Sequence, residues 1–295
     1  MKTALLLSGK NIAWKFLHPS VALVLIFLFL ASASSAPAAL KTWLGTGGTG
    51  NWSTSGNWSP SGAPANGDDL SFPAGAGQLL NTNNLVRSFS SIAFSGGSGG
   101  YIIRGNAITL TNGLTAAHTA GLNTVDITIT NGASQTITAT TGGTLAVTGD
   151  IVFNGFNLTI NNTVAVNLAG LLSGTGNLTK NGSGNLLING SVNNTYTGTT
   201  TVNNGTLELN DTASATAMVP GDLTINSAGT VLLTEGSQIA DTAGVTVNGG
   251  LFNLNGFSET IATLTMTAGT VSSGVGTLTC GNITTLASAT QATIN

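Results

Sequence analysis

Residues 170–210 read GLLSGTGNLTKNGSGNLLINGSVNNTYTGTTTVNNGTLELN, a succession of short apolar runs separated by Asn-Gly and Gly-x-Gly turns. Leu207 and Leu209 point to one side and Glu208 to the other, which is the period of two that indicates a strand with one buried face. The Asn-Gly pairs at 181–182, 189–190 and 204–205 are predicted to need positive φ, which Gly adopts freely and Asn tolerates. Strands this short cannot enclose a core alone, so the unit is predicted to stack on copies of itself.

The same stretch resembles the autotransporter-associated β-strand repeat of bacterial surface and secreted proteins. The resemblance is carried by Gly174, Gly176, Leu178, Lys180, Gly182, Gly184, Leu186, Ile188, Gly190, Asn194, Tyr196, Gly198, Thr200, Val202, Gly205 and Leu207. It implies the right-handed parallel β-helix of passenger domains, whereas periodicity alone supports stacked short strands without their handedness. A small insertion between Gly190 and Tyr196, relative to the usual repeat spacing, predicts a bulging loop. The repeat specifies a scaffold and no reaction.

The composition fits a stacked all-β architecture. The chain is 41% hydrophobic but only 6% charged, and it contains 41 glycines. Coils about 4.8 Å apart place equivalent side chains in columns, where like charges repel by roughly 1 kcal/mol even in water. Columns of Asn, Thr, Ser and Val avoid this cost, and Asn ladders add hydrogen bonds. At roughly 20 residues per coil, residues 84–295 are predicted to form on the order of ten coils.

Residues 1–33 are predicted to be a secretory signal peptide. Lys2, Lys10 and Lys15 form a basic region, residues 21–30 are apolar, and Ala-Ser-Ala at 31–33 is a cleavage site, with 34–36 as the alternative. An uncleaved membrane anchor is the competing interpretation, and the short apolar run disfavours it. We expect a secreted or cell-surface protein, and the resemblance implies the outer membrane of a Gram-negative-type bacterium.

Two segments are predicted in the mature chain. Residues 34–83 contain Trp43, Trp52 and Trp58 and are predicted to cap the first coil of the β-helix formed by residues 84–295. A short helical turn is predicted at 213–218. The sequence ends inside a predicted strand at 292–295 without a closing cap or a membrane barrel, so we expect either a fragment or another export route. An open last coil predicts end-to-end self-association.

Charge and cysteine content exclude several functions. After the predicted leader, four basic residues face ten acidic ones, a net charge of -6, which argues against a nucleic-acid partner. Cys280 is the only cysteine, so an internal disulfide and a Cys-based zinc site are excluded. No apolar run beyond residue 30 is long enough for a membrane helix. Surface glycans or other cell-surface proteins are the partners that we expect.

The candidate catalytic groups are few and dispersed. His118 is the only histidine after the leader, and it is predicted to lie in a loop with a structural role. Asp68 and Asp69 are neighbours on a strand and would point to opposite faces, so a turn or capping role is favoured. Asp150 and Asp222, both of which follow a glycine, are predicted to be turn caps and not calcium ligands. No catalytic, cofactor or metal site is therefore predicted.

Three functions remain open at this point. The favoured one is a non-enzymatic passenger or stalk scaffold with an adhesive role, in which Lys180 lies over a coil edge with its ammonium in water. A polysaccharide lyase or glycosidase on the same fold is the enzyme alternative, and it would need acids and bases that converge on one face. The third is a carbohydrate-binding module at residues 41–95, which burial of Trp43, Trp52 and Trp58 would contradict.

Overall fold

The computed structural model describes residues 38–211 and 217–295. The predicted signal peptide and most of the helical turn predicted at 213–218 lie outside the described residues. Within them the chain forms strands, turns and one 3-10 turn at Ser55–Asn57, and no α-helix. It follows that no helix in these two ranges is long and apolar enough to cross a membrane.

The described residues contain 24 strands. In chain order they are β1 (Leu40–Trp43), β2 (Trp58–Ser59), β3 (Asp69–Pro73), β4 (Leu80–Asn83), β5 (Ser88–Ser98), β6 (Ile102–Gly105), β7 (Ile108–Ala120), β8 (Leu122–Asp126), β9 (Ile129–Asn131), β10 (Gln135–Ala139), β11 (Thr144–Val147), β12 (Ile151–Val152), β13 (Leu158–Asn162), β14 (Val166–Leu168), β15 (Leu172–Gly174), β16 (Leu178–Lys180), β17 (Asn185–Ile188), β18 (Thr195–Tyr196), β19 (Thr200–Leu209), β20 (Leu223–Leu233), β21 (Gly244–Asn253), β22 (Glu259–Ser272), β23 (Leu278–Thr285) and β24 (Ala292–Ile294).

The strands form three parallel ladders, because each strand pairs with the strand one coil away in sequence. In the centre of the chain these ladders run through β10, β13, β16 and β19, through β11, β14, β17 and β19, and through β9, β12, β15 and β18. The pairing of β1 with β2 is antiparallel. The result is a parallel β-solenoid of about ten turns, which confirms the predicted fold class.

The core is built from columns of inward-facing side chains. One buried column can be followed through the register of the first ladder: Leu70, Ile92, Leu114, Ile137, Ile160, Lys180, Val202, Ile225, Val247 and Met266. Leu207, Leu209, Leu223 and Ile225 are fully buried, as the alternation predicts. Each buried aliphatic side chain contributes about 1.5–3 kcal/mol, so a few per coil hold the stack together.

The ladder begins before the predicted domain boundary at residue 84. Strand β1 already pairs in parallel with β3, and β3 and β4 pair with β5 and β6. Residues 38–295 form one compact unit. The tryptophan-containing segment therefore contributes strands of its own to the solenoid, and the ladder runs without interruption across residue 84.

The Asn-Gly turns differ from the prediction in two of three cases. Gly205 has φ of 68°, whereas Gly182 and Gly190 do not have positive φ. Gly182 is constrained by packing instead, because a Cβ there would overlap the carbonyl oxygen of Asn162 in the preceding coil. At Gly190 the nearest atom to such a Cβ is 3.5 Å away, so an added methyl group would make only ordinary van der Waals contacts. The same Asn-Gly dipeptide thus has a positive φ at Gly205, a close backbone contact at Gly182 and neither constraint at Gly190.

Candidate functional site

The aromatic side chains of the first coils are buried together. Trp43 and Trp52 are 0% exposed and Trp58 is 1% exposed. Trp58 lies edge-to-face against both of the others, with ring centroids 5.0 Å from Trp43 and 5.8 Å from Trp52. Phe72 lies among them, at 5.8–6.2 Å from each of the three indoles. This aromatic cluster is the core of the N-terminal end.

Every indole N–H in the cluster has an internal acceptor. Trp43 donates to the carbonyl of Gln78 at 2.7 Å, Trp52 to Oδ1 of Asn81 at 2.7 Å, and Trp58 to the carbonyl of Trp52 at 2.8 Å. A buried indole needs such a partner, and here the ring faces are covered as well. A carbohydrate-binding module at residues 41–95 required exposed tryptophan rings, so the burial of all three contradicts that interpretation.

The acidic residues tie the backbone of one coil to that of another. The buried Asp68 accepts hydrogen bonds from the backbone N–H groups of Ala39 and Ala65. Asp150 accepts from the N–H of Leu171 at 2.9 Å, and Asp222 accepts from that of Gly244 at 2.8 Å. Asp68 therefore caps a local turn through Ala65, whereas the bonds of Asp150 and Asp222 reach the next coil and are not the turn caps that the sequence predicts.

Asp69 and Asp126 each have a polar partner of their own. Asp69 accepts from the hydroxyl of Ser91 at 2.6 Å. Asp126 lies 3.5 Å from Arg104 in an ion pair whose side chains are about half exposed, so it contributes little to stability. In the part of the chain that the structure describes, no three His, Cys, Asp or Glu side chains are close enough together to hold a metal ion.

Lys180 lies inside the solenoid, so the prediction that its ammonium is in water is wrong. Its side chain is 0% exposed, and its neighbours in the inward column are the buried Ile160 and Val202. The ammonium donates to two turn carbonyls, those of Gly182 in its own coil and Asn204 in the next coil at 3.1 Å. No carboxylate of the described residues lies within ion-pair distance of its Nζ.

Burial changes the protonation equilibrium of this lysine. Removal from water lowers the pKa of the Lys180 ammonium from its ordinary 10.5 to about 8, because the charged form loses its hydration. The two carbonyls supply hydrogen-bond acceptors in place of water. These two bonds link two successive turns and so help to fix the register of the coils. Because the amine is buried, a substrate cannot reach it, and a nucleophilic role is not supported.

Glu259 is a buried acid at the start of β22, where it pairs with Leu278 and lies outside the column that contains Lys180. Its Oε2 accepts from the backbone N–H groups of Gln238 at 2.7 Å and Ile239 at 3.3 Å, and its Oε1 from Thr260 at 3.1 Å. Burial raises its pKa to about 7, the three backbone N–H groups oppose that shift, and nearby Asp241 adds to it. The carboxyl therefore titrates near neutral pH at the junction of two coils.

His118 lies in strand β7 and not in the predicted loop. It is 1% exposed, and its Nε2 lies 3.2 Å from the carbonyl oxygen of Gly121. The imidazole fits because the adjacent coil has a glycine at 143, where any Cβ would overlap the ring. Its Nδ1 has no partner in the described residues. The surroundings are those of a packed side chain with no second metal ligand.

A small internal cavity of about 10 Å³ lies beside another buried polar group. Asn131 and Gln135 line the cavity together with aliphatic side chains. Neither Oδ1 nor Nδ2 of Asn131 has a hydrogen-bond partner among the residues that the structure describes. The volume is enough for about one water molecule, which could bond to these amides. The cavity is too small for a substrate.

The outer surface carries an asparagine ladder across four successive coils. The Nδ2 of Asn203 donates to Oδ1 of Asn181 at 2.7 Å, that of Asn226 to Asn203 at 2.6 Å, and that of Asn248 to Asn226 at 3.2 Å. This confirms the hydrogen-bonded Asn columns predicted from composition. Sequence reasoning did not locate the ladder, although the spacing of 22 or 23 residues between its members would have revealed it.

The comparisons with known proteins point to one repeat family. Residues 178–209 match the passenger-associated transport repeat, and this segment spans β16 to β19 with Lys180 in it. Together with the parallel β-solenoid, the match fits an autotransporter passenger-type repeat protein. No curated protein and no solved structure matched the chain.

Proposed function

We propose that this protein is a non-enzymatic, secreted or cell-surface scaffold of the passenger type, with adhesion as its role. The observation that carries the proposal is the passenger repeat at 178–209, set within an uninterrupted parallel ladder. Rigid stacked coils hold surface groups at fixed distances from one another, which is what a display scaffold needs.

The distribution of ionisable groups supports a role without catalysis. General acid and base groups must lie within reach of one substrate, and the aspartates at 68, 150 and 222 instead accept backbone hydrogen bonds at separate coils. The two groups with pKa values near neutrality, Lys180 and Glu259, are buried in the solenoid. Neither presents a reactive atom to solvent.

Localisation is the first test. Cells that produce the full chain are fractionated, and intact cells are treated with protease before immunoblotting. We expect the protein in the medium or in a protease-sensitive surface fraction. Protection from protease in intact cells, with none in the medium, would contradict a surface role.

Adhesion and catalysis are tested with the purified full chain. Beads coated with it should be retained on surfaces bearing neutral glycans or cell-surface protein, more than beads coated with an unrelated acidic protein. A panel of polysaccharides should show no turnover. Cleavage of any of them that Asp126→Asn, Asp150→Asn or Asp222→Asn abolishes would establish the enzyme alternative instead.

A further inference from the structure

A single column of threonines runs along the outside of the first ladder. Eight threonines occupy register positions in consecutive coils, from β10 to β23: Thr136, Thr159, Thr179, Thr201, Thr224, Thr246, Thr265 and Thr284. We call this column and the residues beside it the threonine face. Successive threonines are one strand spacing apart, roughly 4.8 Å, so the column is roughly 34 Å long.

The hydroxyl groups of this column are free to bind something outside the protein. Within the described residues none of the eight donates to or accepts from another protein group, and none is a buried unpaired atom. Other threonines of the chain do bond internally, such as Thr141 to the carbonyl of His118 at 2.6 Å. The column therefore presents a regular row of hydroxyl and methyl groups to solvent.

The columns on either side keep the threonine face regular and almost uncharged. The asparagine ladder from Asn181 to Asn248 lies on one side, and its side-chain bonds can close only if successive coils keep nearly the same orientation. The other side holds Asn157, Asn177, Thr199, Asp222, Gly244 and Thr263. Asp222 is the one charge, and its Oδ1 accepts from Gly244.

These features restrict the partner that the face can bind. A phosphate- or sulfate-bearing polymer would need cations, which the face lacks. If a second copy of the chain covered the column and two residue spacings on each side of it, the contact would bury about 450 Å² per partner. This is below the roughly 800 Å² per partner of a standard interface. Each neutral hydrogen bond adds only about 0.5–1.5 kcal/mol, so binding requires many simultaneous contacts with a partner that is already rigid and periodic.

We propose that the threonine face binds ice. The strand spacing is close to the repeat of water oxygens along one axis of hexagonal ice, so hydroxyls one coil apart meet equivalent lattice positions. The threonine methyl groups fill the space between successive hydroxyl groups. They carry no charge that would orient water molecules away from the ice lattice. This activity is independent of adhesion, because it needs only the described coils and a freezing solution.

The test measures ice growth with the purified full chain. Ice recrystallisation and thermal hysteresis are compared for the wild type, for Thr224→Lys and for the matched control Leu232→Lys. Both positions lie on the outside of β20 and both are partly exposed, but Leu232 belongs to the second ladder. We expect the wild type to slow recrystallisation, Thr224→Lys to weaken the effect by about twofold or more because it divides the row, and Leu232→Lys to match the wild type.

Two further arms keep the result decisive. Thr224→Val, which keeps the shape and removes one hydroxyl, replaces Thr224→Lys if circular dichroism shows that the lysine variant is unfolded. An inactive wild type, or equal activity of the Thr224 and Leu232 variants, overturns the proposal. So does binding to crystalline cellulose or chitin that depends on Thr224 when ice growth is unaffected, since the periodic partner is then a polysaccharide.

Discussion

The first coils and the repeat at 178–209 lie on the same parallel ladders, but side-chain contacts dominate in the first coils and close backbone packing dominates in the repeat. In the first coils, large rings contact one another at 5.0–6.2 Å and each indole N–H has its own acceptor. In the repeat, small aliphatic side chains stack in columns, and glycines allow neighbouring backbones to approach closely. Stability should therefore depend on individual side chains at one end and on backbone fit in the middle.

Removing one ring from the aromatic cluster should have the largest effect. Trp52 lies 5.6–5.8 Å from Trp58, Phe72 and Phe89, so Trp52→Ala leaves a cavity among three rings. We expect a loss of about 3–5 kcal/mol in the free energy of unfolding. Urea unfolding followed by the fluorescence of the remaining tryptophans checks this end of the molecule. A loss below about 1 kcal/mol would mean that the cluster does not hold the first coils.

A backbone substitution in the repeat should rank second. In Gly182→Ala the new Cβ overlaps the carbonyl oxygen of Asn162, and the coil must shift at a cost of about 3 kcal/mol. Gly190→Ala is the matched control, since its Cβ meets nothing closer than 3.5 Å and should change stability by no more than about 0.5 kcal/mol. Equal effects of the two alanines in urea unfolding would refute the packing explanation.

Lys180→Met should stabilise the repeat. Replacing a buried charge by an apolar side chain of similar length removes the desolvation cost, and we expect a gain of about 2 kcal/mol at pH 7. Val202→Met, at the next position of the same column, controls for the added flexibility and should not stabilise. A destabilised Lys180→Met would show that its two carbonyl bonds outweigh the desolvation cost.

The pH dependence of the wild type gives a second measure of Lys180. Because its pKa falls from 10.5 to about 8 on folding, the unfolded chain holds more protons between these values. Stability should therefore rise from pH 8 to pH 10.5, by up to about 3 kcal/mol, and this rise should be absent in Lys180→Met. Urea midpoints across that range, at constant ionic strength, are the measurement.

Glu259→Gln should show the smallest change and the opposite dependence on pH. The pKa of Glu259 rises from 4.5 to about 7 on folding, so the folded protein holds the extra proton in that window and wild-type stability falls as pH increases through it. The glutamine variant should lack this fall and remain within about 1 kcal/mol of the wild type at pH 7. If the stability of Glu259→Gln fell with pH as that of the wild type does, the fall would have to come from another titrating group.

Much of the fold follows from local pattern. The alternation at 207–209 predicts which leucines are buried, and the same alternation from Leu178 to Lys180 places the lysine inward. The prediction for Lys180 failed because the usual preference of an ammonium for water was given more weight than register. Only the three-dimensional structure shows two turn carbonyls placed to receive it.

Other features depend on neighbours one coil away, which a single sequence does not identify. Nothing within residues 178–185 shows that Gly182 is needed for the approach of Asn162 and not for its φ. His118 likewise lies in a strand because the adjacent coil has a glycine at 143 that leaves room for the ring. Composition predicted asparagine ladders in general, but their members depend on coil lengths, which vary between 19 and 23 residues along the first ladder from β3 onward.

The parallel ladders also determine how the solenoid responds to mechanical force. Hydrogen bonds between coils point along the axis of the stack, so pulling on the two ends of the chain loads one coil interface after another. Coils from β3 onward should then detach singly, and each releases 19–24 residues, or roughly 70 Å of extended chain. In single-molecule stretching this gives a series of small extensions of similar length at low force. The solenoid would therefore dissipate mechanical energy stepwise when it is pulled along its axis.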